Sequence, residues 1–241
     1  MKTYEPFFAS LIALVLVLFS GPGSAQDSTE ELIKKLRGQA GKEKADEGFK
    51  TRGLVTRSIS QAPTSETRSL YFSARGLPAA IQIAADEDTV KLTKTTAKKS
   101  ESAGDHSVKA GDEAIEVQYS VDPESKVTKD NILFRRGSAE FADEGSFQVV
   151  SQLAEALRDP SLAELNYVIE GHASAEGSAY ANQVLSQQRA ERIVNVLSSL
   201  GVNVARLLPL GFGETQARFP AHSEEFMLKQ DRRVLIFRLD D

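Results

Sequence analysis

Residues 167–201, YVIEGHASAEGSAYANQVLSQQRAERIVNVLSSLG, carry a strand, a loop and a helix in one continuous stretch. Tyr167-Val-Ile169 reads as a short strand, and Gly171 closes it. From about Ser178 to Leu200 the spacing predicts the longest helix of the chain, with Leu185, Ile193, Val196, Leu197 and Leu200 inward and Gly201 as its stop. Along that helix Asn182, Ser186, Arg189, Ile193, Val196 and Leu200 step by three or four residues and share one stripe. Arg189 therefore lies on or beside the buried face, where an unpaired guanidinium is costly. It needs an anion, either a protein carboxylate or a ligand that brings its own. The plainer alternative is a side chain that snorkels outward or pairs with a structural glutamate.

Working outward, Asn131-Ile-Leu-Phe134 reads as a short strand, and Phe147, Val150, Ala154 and Leu157 recur as an amphipathic helix that Pro160 ends. On the other side, Arg206–Gly211 contains Pro209 and reads as an edge strand or a strand end. A short helix is expected at His222–Lys229, and Val234–Leu239 is a last strand. Strands alternating with helices predict an α+β domain, a mixed sheet with helices packed on one face.

Several of these segments form a recognisable set: Gly171-His-Ala-Ser-Ala-Glu-Gly177, Asn182, Leu185-Ser186, Arg189-Ala190, Gly211-Phe-Gly-Glu214 and Arg232-Arg-Val234. Together they resemble the OmpA-like peptidoglycan-binding domain, whose pattern is GHTDxxG, YNxxLSxxRA, GxGE and NRRVE at compatible intervals. The resemblance covers residues 127–241, includes Ser138-Ala-Glu-Phe141, and implies a βαβαββ domain at 126–241. It also implies non-catalytic binding of the diaminopimelate residue of the peptidoglycan stem peptide. In that family an aspartate of the GHTD segment holds the ligand's amino end and the arginine of LSxxRA holds a carboxylate.

The arginine carries over to Arg189, where a planar fork opposite a carboxylate is a good physical match. The aspartate does not: its position is Ser174, which offers a hydroxyl and no charge, and Glu176 is the nearest acidic side chain. An acidic segment that often follows the family's first strand is here Phe134-Arg-Arg-Gly-Ser-Ala139, so Arg135 and Arg136 flank the expected pocket. Ala181 stands in the position of the family's tyrosine, and Asp231 replaces the asparagine before the arginine pair. The resemblance thus points to Arg189, Ser174, Glu176, Asn182, Phe134 and Arg135 as ligand-binding residues, with no catalytic group, metal or cofactor.

The first half of the chain reads differently. Lys2, the apolar run Phe7–Phe19 and the small residues Ser20–Ala25 describe a secretory signal peptide over 1–25, or failing cleavage an N-terminal anchor. Ser28-Thr-Glu-Glu31 is a capping-box pattern opening a helix that must stop near Gly38, too short to persist alone. Residues 26–84 form a region of unknown function, with a strand-like run at Leu70-Tyr-Phe72. Residues 85–125 are sparse in aliphatics and read as a linker, with an alternating strand over 114–121 whose place in linker or domain stays open.

Composition narrows the chemistry. The chain has 241 residues, a net charge of −5, no Cys and three His, at 106, 172 and 222. No nucleic-acid partner is expected without a basic face, and thiolate chemistry and a cysteine-linked lipid anchor are excluded. No later run approaches the ~20 apolar residues of a spanning helix. Glycines three residues either side of Ser174 miss the nucleophile elbow, which has them at two. Glu170 and His172 offer a metal only two ligands. The reading is an exported, non-enzymatic protein of the periplasm or outer membrane that binds peptidoglycan. The alternative is a periplasmic scaffold that engages an envelope protein through residues 26–84 and whose pocket has lost or changed its ligand.

Overall fold

A computed structural model describes residues 28–38, 65–73, 78, 81, 90–96 and 113–240. The expected signal peptide at 1–25 lies outside these residues. In chain order the elements are α1 (Thr29–Arg37), β1 (Glu66–Ser73), β2 (Lys91–Thr96), β3 (Glu113–Lys129), α2 (Glu144–Leu157), β4 (Tyr167–Gly171), α3 (Ala179–Ser199), β5 (Leu207–Gly211), α4 (Glu225–Asp231) and β6 (Val234–Leu239). The fold is α+β on one mixed sheet ordered β1-β3-β6-β4-β5, in which only the β4–β5 pair is parallel. Among the described residues, no helix is long and apolar enough to cross a membrane.

The helices lie on one face. Val150, Leu153 and Leu157 of α2 and Ile193, Val196 and Leu197 of α3 pack on Tyr167, Ile169, Leu207, Val234 and Ile236. The opposite strand residues Val168, Leu208, Leu210, Leu235, Phe237 and Leu239 form a second core with Leu70, Phe72, Val117, Tyr119 and Val121. Both faces of β4, β5 and most of β6 are therefore buried, which is why these short strands read as unbroken apolar runs.

The second core depends on the shape of β3. Its register against β6 shifts between Asp122 and Val127, a bulge of the kind that bends a strand. Ser125 Oγ donates to the Asp122 carbonyl at 2.6 Å and accepts from Arg238 N at 2.7 Å, which ties the bulge to β6. Val121 pairs with Glu66 of β1 and with Leu239 of β6, so those strands flank β3 on opposite edges. Val117 likewise lies between Leu70 and Leu92, so β2 precedes β6 along a shared edge.

The structure departs from the sequence reading in several places. β2 falls inside the stretch expected as a linker, and β3 runs through the boundary expected at 125/126. KLTKTT lacks an apolar face because its backbone is held by pairing with β3 while Lys91–Lys94 stay exposed. Asn131–Phe134 is no strand; it is a segment with one bridge, Phe134 to Phe141, and the first strand of the domain is the end of β3, where Val127–Lys129 pair with β6. Phe147 is 38% exposed, because Ser146 takes the inward position, accepting from Leu133 N at 2.9 Å and donating to Asp143 at 2.7 Å. The capped helix α1 is present at its expected place. It persists because Leu32 and Leu36 enter the helical core and Tyr167 Oη donates to the Leu36 carbonyl at 3.2 Å.

Candidate functional site

The site begins with two glycines. A side chain at Gly171 would strike the backbone carbonyl of Ser186, and one at Gly211 the amide of Gln187, so α3 rests directly on the ends of β4 and β5. Gln187 locks this contact: its Oε1 accepts from Gly211 N at 2.7 Å and its Nε2 donates to the Pro209 carbonyl at 3.2 Å. Ser186 Oγ accepts from Gly213 N at 2.8 Å. These contacts set the height and rotation of α3, and hence of Arg189 less than one turn further on.

Arg189 is 7% exposed and has no carboxylate within ion-pair distance among the described residues. Its Nε donates to the Ser138 carbonyl at 3.1 Å and an Nη to the Arg135 carbonyl at 3.4 Å. The guanidinium lies 5.0 Å from the centre of the Phe134 ring, a cation–π contact. Carbonyl dipoles and a ring face stabilise the charge without neutralising it. Burial first, and the nearby charge of Arg232 second, lower its pKa to about 10. The sequence reading left open an outward or glutamate-paired side chain; the structure shows neither.

Arg189 and Phe134 line a cleft of about 580 Å³ with Arg136, Ser174, Glu176, Ala181, Asn182, Glu225 and Arg232. Asn182 holds its loop, donating from Nδ2 to the carbonyls of Ser174 at 3.1 Å and Glu176 at 2.8 Å and to Glu214 Oε2 at 2.6 Å. Ser174 is buried and its hydroxyl donates to Glu176 Oε2 at 3.3 Å. Ala181 lines the cleft while the neighbouring Tyr180 is 66% exposed and lies outside its lining.

Five of the six residues expected at the site thus share one cleft. Arg135 does not: its side chain pairs with Glu140 at 3.3 Å in solvent, and only its carbonyl faces Arg189. The turn at positive-φ Gly137 sends Arg136 to the cleft instead. Two further charged side chains of the lining, Arg232 and Glu225, were not among the residues expected to bind. Arg232 pairs with Glu176 at 3.3 Å and with Glu225. Arg232 was visible in the Arg232-Arg233 pair; Glu225 had no signal, because an ion pair with Arg232 leaves no mark in hydrophobic periodicity.

The acidic and histidine residues near the motif turn out to be structural. Glu170 is 0% exposed; its carboxylate lies 2.7 Å from Arg68 Nε, accepts from Tyr119 Oη at 2.7 Å and faces His172 Nε2 at 3.2 Å. Burial, the largest cause, pushes the His172 pKa down despite Glu170, and the ring stacks on Phe212 at 5.1 Å. Asp231 accepts from the amides of Arg218 and Phe219 at 3.0 Å and pairs with Arg218 and Arg233, which fastens the loop after β5. No group of three or more potential metal ligands occurs among the described residues.

This geometry sits in a segment with known relatives. Residues 133–227 match the OmpA family. The OmpA segment contains the Phe134–Phe141 bridge, β4, α3, β5 and most of the cleft, whereas α1, β1, β2, β3 and β6 lie outside it. Outer membrane protein A of Serratia marcescens is 33% identical over 89 residues, 37% of this chain and 24% of that relative. The match therefore spans about a quarter of that relative's length. Among solved structures, the peptidoglycan-associated lipoprotein of Burkholderia pseudomallei is 24% identical, covering 48% of this chain and 93% of that one at a TM-score of 0.41. The periplasmic domain of Helicobacter pylori MotB is 19% identical, covering 62% of this chain and 88% of that one at a TM-score of 0.42.

Proposed function

We propose that the protein is an envelope component that binds peptidoglycan without chemistry, through the cleft around Arg189. The observation that carries this reading is a buried guanidinium with no carboxylate partner among the described residues, at the wall of a cleft of about 580 Å³. A stem-peptide carboxylate completes that arrangement, and diaminopimelate is the residue the OmpA family resemblance nominates. Bidentate pairing suits a planar fork held by Ser138 and Arg135 carbonyls and backed by the Phe134 ring. Export through residues 1–25, with residence in the periplasm or at the outer membrane, belongs to the same proposal. Binding of an envelope protein by the chain before the OmpA segment is the scaffold alternative.

The test is sedimentation of the full chain with purified cell-wall sacculi. Wild type pellets, free diaminopimelate releases it, and Arg189→Ala stays in the supernatant. Pelleting of the variant at the wild-type level, or retention of wild type only with an added envelope protein, defeats the proposal.

A further inference from the structure

We infer that Arg232 is a tethered cation occupying Glu176 in place of a ligand ammonium, so that the cleft selects ligands by carboxylate and is indifferent to a nearby amine. The inference rests on the peptidoglycan-binding reading and specifies what the same cleft recognises. Among the described residues lining the cleft, the charged side chains are Arg136, Arg189, Arg232, Glu176 and Glu225. Both acids belong to Arg232: one guanidinium nitrogen lies 3.3 Å from Glu176 Oε2, and the other pairs with Glu225. Glu176 Oε2 also accepts from Ser174 Oγ at 3.3 Å, so that oxygen already has two donors. Arg136 and Arg189 have no carboxylate within ion-pair distance among the described residues.

An ammonium entering here meets no uncommitted acid in the lining and two uncommitted cations. At Glu176 it meets a carboxylate whose charge Arg232 already offsets, and taking Oε2 exchanges one charge-assisted bond for another with little net gain. A carboxylate displaces no protein anion, because among the described residues Arg189 offers its cation to two carbonyl dipoles and the Phe134 ring. Arg232 also bridges the loop bearing Glu176 to α4 bearing Glu225, so its pairs hold the cleft wall in place before a ligand arrives. Its proximity to Arg189 is felt in the lowered pKa of that group, which favours an anion between them.

Calorimetry of the full chain with meso-diaminopimelate and with pimelate, the same dicarboxylate chain without amino groups, separates the possibilities. Wild type and Arg232→Lys bind the two ligands within about threefold of each other, since a tethered cation remains at Glu176. Arg232→Gln frees Glu176 and favours diaminopimelate by about tenfold, the worth of one hydrogen bond to a charged group. The ratio between ligands is insensitive to a general loss of structure, which weakens both. A wild-type preference of about tenfold for diaminopimelate, or a ratio unchanged in Arg232→Gln, overturns the role of Arg232 and leaves peptidoglycan binding standing. Pelleting with sacculi but no affinity for either small ligand also overturns this inference alone. Failure of both sacculi and small-ligand binding overturns the two together.

Discussion

Two arginines, Arg189 buried and Arg68 with 11% of its side chain exposed, lie on opposite faces of the same sheet, and they are treated in opposite ways. Arg68 of β1 reaches Glu170 at 2.7 Å, stands over the Phe237 and Phe212 rings at 4.8 and 5.5 Å, and shares its carboxylate with Tyr119 and His172. Arg189 of α3 has one ring and two carbonyls and, among the described residues, no carboxylate. The first is a closed network whose members come from β1, β3 and β4, so its chemistry is spent on holding elements together. The second is open on the side of the cleft. Burial alone does not distinguish an architectural arginine from one that awaits a ligand; the presence or absence of a protein anion does.

The largest expected effect comes from removing the whole covered face. A fragment beginning at residue 126 lacks α1, β1, β2 and all of β3 up to Ser125, and so exposes Val168, Leu208, Leu210, Phe212, Leu235, Phe237 and Leu239. At roughly 1.5–3 kcal/mol for each fully buried side chain, this loss rivals the entire ~5–15 kcal/mol that holds a domain folded. The fragment should show no cooperative thermal transition by circular dichroism, while the chain from residue 28 should show one. A fragment that melts as cooperatively as the longer chain would mean that the cover is dispensable for folding.

A smaller effect follows from breaking only the clasp. Arg68→Ala leaves the Glu170 carboxylate buried with two neutral partners, and removing one member of a buried pair costs about 3–5 kcal/mol. Urea denaturation should show that loss, and the double variant Arg68→Met with Glu170→Gln should recover most of it, because no charge is then stranded. Sacculi binding should change little below the unfolding midpoint, since neither residue lines the cleft.

How far the sequence revealed these two arginines differs for a physical reason. Arg189 was legible because its neighbours Asn182, Ser186, Ile193 and Val196 repeat with the period of a helix, which fixes a face without any distant partner. The order of strands and helices from β4 to β6 was legible on the same grounds. Arg68 was not, because its role depends on Glu170 and Tyr119, brought to it by β3, which carries no composition signal of its bend beyond Asp122-Pro-Glu-Ser125. β2 was hidden for a related reason: a strand held by its backbone on an edge needs no apolar pattern. Ser146 takes the inward position in place of Phe147 through hydrogen bonds to Leu133 and Asp143 that hydrophobic periodicity does not weigh. Glu225 entered the cleft through an ion pair, which leaves no periodic trace.

The smallest expected change in stability, and the sharpest contrast with Arg68, belongs to Arg189→Met. The substitution removes two hydrogen bonds to carbonyls and a cation–π contact, all of them terms that favour the wild type. It also removes a desolvated charge whose pKa burial has already lowered to about 10, and it leaves no buried carboxylate behind. A methionine of similar length keeps the contact with Phe134. These terms nearly cancel, so the urea midpoint should correspond to a change within about 1 kcal/mol of wild type, in either direction. Retention on sacculi should nevertheless be lost, because the anion's only buried partner is gone. If Arg189→Met destabilises by as much as Arg68→Ala, then Arg189 is held for architecture, and the open side of the cleft is not where a ligand enters.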